Sequence, residues 1–288
     1  MDRKGFLKST VVGALGATAG NKLSTYDKLY QNTDWKNKQV GFNHLPNKKN
    51  KSMKSVFHSA SSRGHANHGW LDSHHSFSFA NYYNPDRMHF GVLRVLNDDV
   101  VASGRGFGMH PHDNMEIVSI PLSGELEHKD SMGNTATIKA GEVQVMSAGT
   151  GIKHSEYNKK KDDEVRFLQI WMFPNRKNVT PRYDQKTIST ISSSKIKQIL
   201  SPSPDDDGVW VHQNSWWHMA DLSQGDTQTY TLRDQTNGVY AFLIDGQLTI
   251  DEQAMSKRDG YGVWDTKQIT IKAQENSKLL LMEVPMTM

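Results

Sequence analysis

Residues Glu116-Ile117-Val118-Ser119-Ile120-Pro121-Leu122, followed at once by Ser123-Gly124 and then Glu125-Leu126, decide the fold class. β-branched and apolar residues suit a half-buried pleated strand, and Ser-Gly supplies the turn that sends the chain back. The same alternation surrounds this run. Residues 91–96, 142–146 and 165–173 are strand-like, and Met132-Gly133-Asn134, Ala140-Gly141 and Ala148-Gly149-Thr150-Gly151 punctuate them. Short strands with regular glycine turns predict an antiparallel sandwich or barrel. Residues 165–173 are apolar on both faces, which predicts a central strand.

The pattern then recurs. Leu122-Ser123-Gly124-Glu125-Leu126 has a counterpart in Ile244-Asp245-Gly246-Gln247-Leu248, and Ala140-Gly141-Glu142 a weaker one in Asp259-Gly260-Tyr261. Each precedes a further apolar strand, such as residues 278–284. The prediction is an all-β chain of two tandem antiparallel barrels built on one plan. The first spans residues 54–186 and the second 208–288. A connection at 187–207 carries Ser192-Ser193-Ser194 and Ser201-Pro202-Ser203-Pro204, and Lys195, Ile196, Lys197 and Ile199 allow a short helix within it.

Ahead of the barrels, residues 1–20 read as a targeting segment. Arg3-Lys4-Gly5-Phe6-Leu7-Lys8 is similar to a twin-arginine motif with lysine in the second place. An apolar run at 11–17 and Ala17-Thr18-Ala19 follow. Export to the periplasm is the expectation, with a frayed amphipathic helix of a cytoplasmic protein as the alternative. The run is too short and polar for a permanent membrane span. Residues 21–53 are Asn- and Lys-rich and read as a polar linker, with room for a short helix at 25–30.

Composition narrows the chemistry. The 288 residues hold no cysteine, which excludes disulfides, thiolate ligands, cysteine nucleophiles and a lipid anchor on cysteine. A formal charge of +3 and a mean hydropathy of -0.66 describe a polar protein without a basic face for nucleic acid. Lys159-Lys160-Lys161 is offset by Asp162-Asp163-Glu164 and reads as a solvated hairpin tip. With 13 histidines, any metal must be held by imidazole and carboxylate.

His110-Pro111-His112 places two imidazoles at i and i+2, which on a strand means one face and a separation of about 7 Å. Proline between them suits an edge strand or barrel rim. His154-Ser155-Glu156 repeats the spacing with one imidazole and one carboxylate. Two strands and two turns lie between the pairs, enough to bring them side by side. A lone His-x-His is ordinarily a surface feature. Two such pairs bracketed by glycine turns predict a mononuclear metal site made by His110, His112, His154 and Glu156, with positions left open. Glu116, four residues past His112, is expected on the same face, as a fifth ligand or, preferably, as a partner that orients an imidazole. The early histidines His58, His65, His68, His74, His75 and His89 read as surface or structural residues and not as ligands. His65 and His68 flank the turn before Trp70, at the mouth of any cavity there. With no histidine after His218, only the first barrel is expected to carry a metal.

These residues resemble a known family. Residues 106–112 with Met115-Glu116-Ile117, residues 127–134 and residues 148–158 resemble the pirins, which are bicupins. So do residues 63–71, 77–83 and Thr180-Pro181-Arg182-Tyr183. The likeness runs from about residue 54 to the C-terminus and most resembles bacterial pirin-like quercetin 2,3-dioxygenases. It implies two double-stranded β-helix barrels and a non-haem iron, Fe(II), or similar divalent metal on the four positions above. It also implies dioxygenase opening of a flavonol such as quercetin, with dioxygen as co-substrate. On that reading Glu156 is both ligand and proton acceptor. The donor set alone would equally take manganese, cobalt, nickel, copper or zinc. The alternatives are a non-enzymatic metal-binding redox sensor, and an isomerase or hydrolase using the ion only as a Lewis acid. A monomer is expected.

Overall fold

The computed structural model describes residues 52–190 and 194–287. The targeting segment, most of the linker and the helix expected at 25–30 therefore lie outside the described residues. What is described is almost wholly β, with three short 3-10 turns.

Strand β1 (Lys54–His58) comes first. A group of eleven follows: β2 (Gly64–Asn67), β3 (Leu71–His75), β4 (Leu93–Val101), β5 (Gly106–His112), β6 (Glu116–Ser123), β7 (Glu125–Asp130), β8 (Thr135–Lys139), β9 (Glu142–Ser147), β10 (Ile152–Asn158), β11 (Val165–Met172) and β12 (Arg182–Thr187). They make a seven-stranded sheet in the order β12-β9-β6-β11-β4-β3-β2 and a four-stranded sheet β5-β10-β7-β8. The remaining strands are β13 (Ile196–Ser201), β14 (Val209–Trp210), β15 (Trp216–Leu222), β16 (Thr227–Thr231), β17 (Asn237–Asp245), β18 (Gln247–Ile250), β19 (Gln253–Ser256), β20 (Gly260–Trp264), β21 (Gln268–Ala273) and β22 (Ser277–Pro285). With β1 they form a matching pair of sheets, β1-β20-β17-β22-β15-β13-β14 and β16-β21-β18-β19.

The two barrels thus follow one plan, and β11, apolar on both faces apart from Arg166 and Gln169, is central as expected, paired with β4 and β6. Three local expectations change. Residues 54–58 do not join the first barrel: β1 pairs with β20 and takes in the second barrel the edge that β12 takes in the first. Residues 196–201 are strand and not helix, because Ile199 and Leu200 reach the core from a strand paired with β15. The weaker internal repeat is two residues out of register. Gln144 and Tyr261 are equivalent, each opposite the matching residue of β6 or β17, so Gly141 aligns with Arg258 and not Gly260. Gly141 and Arg258 share a left-handed φ, 89° and 71°.

The largest core lies between the barrels, where the seven-stranded sheets pack face to face. Val118, Ile120, Val145, Leu168 and Ile170 meet Trp217, Tyr240, Phe242, Leu280 and Met282 there. Alternation along each strand sends the intervening residues into the barrel interiors.

Candidate metal centre

β5 is the edge of its four-stranded sheet, as Pro111 required, and pairs with β10 so that His110 lies opposite His154 and Ile152 opposite His112. The backbones approach so closely at Gly106 that a Cβ there would lie 2.2 Å from the Glu156 carbonyl oxygen. The register slips between His154 and Glu156, a bulge of the kind that re-aims side chains beside functional sites. On its other edge β10 pairs with β7, Glu156 opposite His128.

Three imidazoles converge. The ring centroids of His110 and His154 are 4.4 Å apart, and each is 4.9 Å from that of His112. One ligand nitrogen from each of the three lies within 4.8 Å of the other two. His128, His154 and Glu156 form an overlapping group with the same spacing. All are buried. Glu156 therefore joins the histidines through His154. Its Oε1 accepts from Ser119 Oγ at 3.0 Å and its Oε2 from Gln169 Nε2 at 2.6 Å, which orients the carboxylate.

The donor set fits a cation. Burial, and then the neighbouring rings, push the pKa of His112 and His154 well below the usual imidazole range, so both are neutral at pH 7 with lone pairs to offer. His110 Nδ1 donates to the Gly108 carbonyl at 2.7 Å, which leaves Nε2 as its acceptor atom. Both ring nitrogens of His154, though buried, lack a hydrogen-bond partner. Such orphans are rare and call for a missing partner. A divalent ion on His110, His112, His154 and Glu156 would supply one.

Glu116 does not belong to this group. The turn at 113–115, with Asn114 at φ 46°, breaks the alternation between β5 and β6, so counting from His112 gives the wrong face. Glu116 points with Val118 toward the junction of the barrels, where Ser147 Oγ donates to it at 2.7 Å and the His212 backbone N–H donates as well. Burial raises its pKa to about 7 despite those donors and the nearby Arg182. Arg182 in turn stacks on Trp210, 3.9 Å from the ring centroid, and donates to the Trp210 carbonyl at 2.5 Å.

Sequence reasoning passed over His128, fully buried, with Nε2 3.2 Å from Asp130 Oδ2 and its ring centroid 4.8 Å from that of Tyr183, tilted by 34°. The signal was there, since Leu126, His128 and Asp130 alternate inward along β7. It also passed over Asn97, Asp99, Ser119 and Gln169, polar residues at inward positions of apolar strands. Asp99, fully buried with Ser73 Oγ donating to it, has its pKa raised to about 7 by burial and then by Asp98 and Glu156.

The space is divided. A chamber of about 10 Å³ is bounded by His110, His112, Glu156, Asp99 and the rings of Phe79, Phe107 and Trp171, room for one water-sized ligand. Phe79 and Phe107 also wall an outer cavity of about 420 Å³ with Trp70, Leu71, His75 and Tyr82, a volume in the range of small-molecule sites. Trp171 stands edge-on to His112 at 5.0 Å and to Phe79 at 5.5 Å.

Residues 56–172 match the family model Pirin, and residues 198–284 match the model of the quercetinase C-terminal cupin domain. Over 226 residues the chain is 43% identical to the quercetin 2,3-dioxygenase of Escherichia coli K12, covering 78% of this chain and 96% of that protein. The chain belongs to the pirin family. Another pirin relative, the pirin-like protein of Caulobacter vibrioides, is 39% identical, with 76% of this chain and 95% of that one covered. Among solved structures, the bacterial pirin YhhW from Escherichia coli in complex with nickel(II) superposes with a TM-score of 0.76 at 42% identity, covering 81% of this chain and 99% of that one. The two barrels read from the strand pattern therefore have the cupin fold that the resemblance implied.

Proposed function

We propose that this pirin is a metal-dependent dioxygenase that opens flavonol-like aromatics, with the ion on His110, His112, His154 and Glu156. The observation that carries it is the convergence of three buried imidazoles, one with both nitrogens unpartnered, at the closed end of an aromatic cavity. Relatives named quercetin 2,3-dioxygenase and the nickel(II) complex of a similar pirin support the same reading.

A bound divalent metal would supply Lewis acidity toward an aromatic hydroxyl and a meeting point for that group and dioxygen. The chain's own residues do the rest. The outer cavity takes the flat ring system against Trp70, Phe79 and Phe107 and excludes water. The inner chamber admits only the small end of the substrate. Glu156 accepts the hydroxyl proton at a carboxylate oxygen, held in place by Ser119 and Gln169. Iron is the favoured ion by family, and three nitrogens with one oxygen also accept nickel, manganese, cobalt, copper or zinc.

Metal analysis of anaerobically purified protein, followed by an oxygen electrode with quercetin, tests the proposal. One tightly held equivalent at His110, His112, His154 and Glu156, and oxygen uptake, are expected. Metal uptake without oxygen consumption would turn the chain into the metal-binding sensor instead. In metal-replete Glu156→Gln, turnover should fall on the order of 100-fold, the reach of a positioned base. Unchanged turnover would remove that role from Glu156.

A further inference from the structure

We infer that His65, Asp72 and His74 form a second metal site, open to solvent, on the outer face of the β2–β3 hairpin and suited to Zn²⁺, Ni²⁺ or Cu²⁺. His65 and His74 are cross-strand partners, and their rings stack at 4.4 Å with only 18° between planes. One ligand atom from each of the three residues lies within 4.8 Å of the other two. Asp72 Oδ1 is 2.8 Å from His65 Nε2 and 3.6 Å from His74 Nδ1. Ligand atoms about 2.0–2.1 Å from a tetrahedral ion stand about 3.3 Å from one another. The two observed separations straddle that value, so small side-chain rotations suffice.

The carboxylate is already oriented. The Gly69 backbone N–H donates to Asn67 Oδ1 at 2.8 Å, and Asn67 Nδ2 donates to Asp72 Oδ2 at 3.1 Å, leaving Oδ1 for the imidazoles. Such outer partners fix ligand geometry in metal sites. Arg63 and Asp98 both lie close enough to His74 to bear on it electrostatically. Asp98 balances Arg63 at 3.2 Å. The three side chains are 51%, 40% and 38% exposed, which gives an entering ion its path. Alternation turns Ser73 and His75 of the same strand inward, so the outer site is separate from the buried one.

The inference does not depend on the dioxygenase reading, and its test measures binding alone. Full-length protein stripped by a chelator is titrated with Zn²⁺ by equilibrium dialysis. Two equivalents are expected, the outer one about tenfold weaker or more because it has three half-exposed ligands. His74→Gln should lose the weaker equivalent and keep the tighter. His112→Gln should lose the tighter and keep the weaker, and circular dichroism confirms that each variant is folded. A single equivalent in the unmodified protein, or a second that survives in folded His74→Gln, overturns the inference.

Discussion

The two barrels share strand order, edge arrangement and a buried junction, yet their interiors differ in polarity. The offset between the Ser123-Gly124 and Asp245-Gly246 turns, carried through the strand registers, aligns Ser119 with Ala241, Gln169 with Leu281, His128 with Ile250 and Glu156 with Ile271. In the second barrel those apolar residues join one continuous core with Val239, Leu243, Leu248 and Ile269. In the first barrel the core is split. One cluster holds Ile117, Met146 and Trp171, another holds Leu126, Ile138 and Phe167, and the polar layer runs between them. Buried polar groups stabilise a fold only when each has its partners. The second barrel fills this layer with apolar side chains, whereas the first holds polar groups there, among them His154 with both ring nitrogens unpartnered.

The sharpest way to break this comparison is to remove a ligand. His154→Ala should lower metal affinity by more than about 100-fold, beyond the 10–100-fold of an outer partner, and abolish oxygen uptake. Elemental analysis reads it, and an unchanged metal content would unseat the site. The reverse experiment puts a polar group where the second barrel has none. Leu281→Gln should cost about 3 kcal/mol in denaturant unfolding, since it puts an amide in place of a fully buried aliphatic side chain in a largely apolar core, while metal content stays the same. Gln169→Leu makes the first barrel more like the second. It frees the Glu156 carboxylate from a donor, and metal affinity should fall 10–100-fold with the fold retained.

The smallest effect concerns pH. Glu116 has a folded pKa of about 7, above its unfolded value of about 4.5. The folded state therefore binds the extra proton between those values, and this group's contribution to stability is complete below pH 4.5 and lost as pH rises through 7. Glu116→Gln should raise stability at pH 8 by on the order of 1–2 kcal/mol, since the interactions with Ser147 and Arg182 offset part of the gain, and change little at pH 5. Thermal melts at the two pH values check it.

Most of the architecture and most of the centre were legible in the residues, for a physical reason. Strand period and glycine turns are local, so β6, β9, β11 and β22 fell within a residue of where the pattern placed them. His110, His112 and His154 were found because i and i+2 spacing survives within a strand. Glu116 failed because its face was counted across a turn, where spacing carries no meaning. β1 failed because pairing with β20 is a contact between distant parts of the chain, which no local pattern records. His128, Ser119 and Gln169 could have been seen as polar residues on the inward phase of apolar strands. The hairpin histidines His65 and His74 are brought together only by cross-strand register.

The placement of β1 has a consequence for biogenesis. Among the described residues, the second barrel is closed by the strand that comes first in the chain, with His58 Nδ1 against the Tyr240 hydroxyl at 2.9 Å. During translation that strand must wait, unpaired, until β20 emerges, and such distant pairings are slow to form. Trimming the chain beyond residue 58 would bare the flank of β20, an invitation to self-association. Lys54–His58, short as it is, is therefore the clasp of the finished molecule.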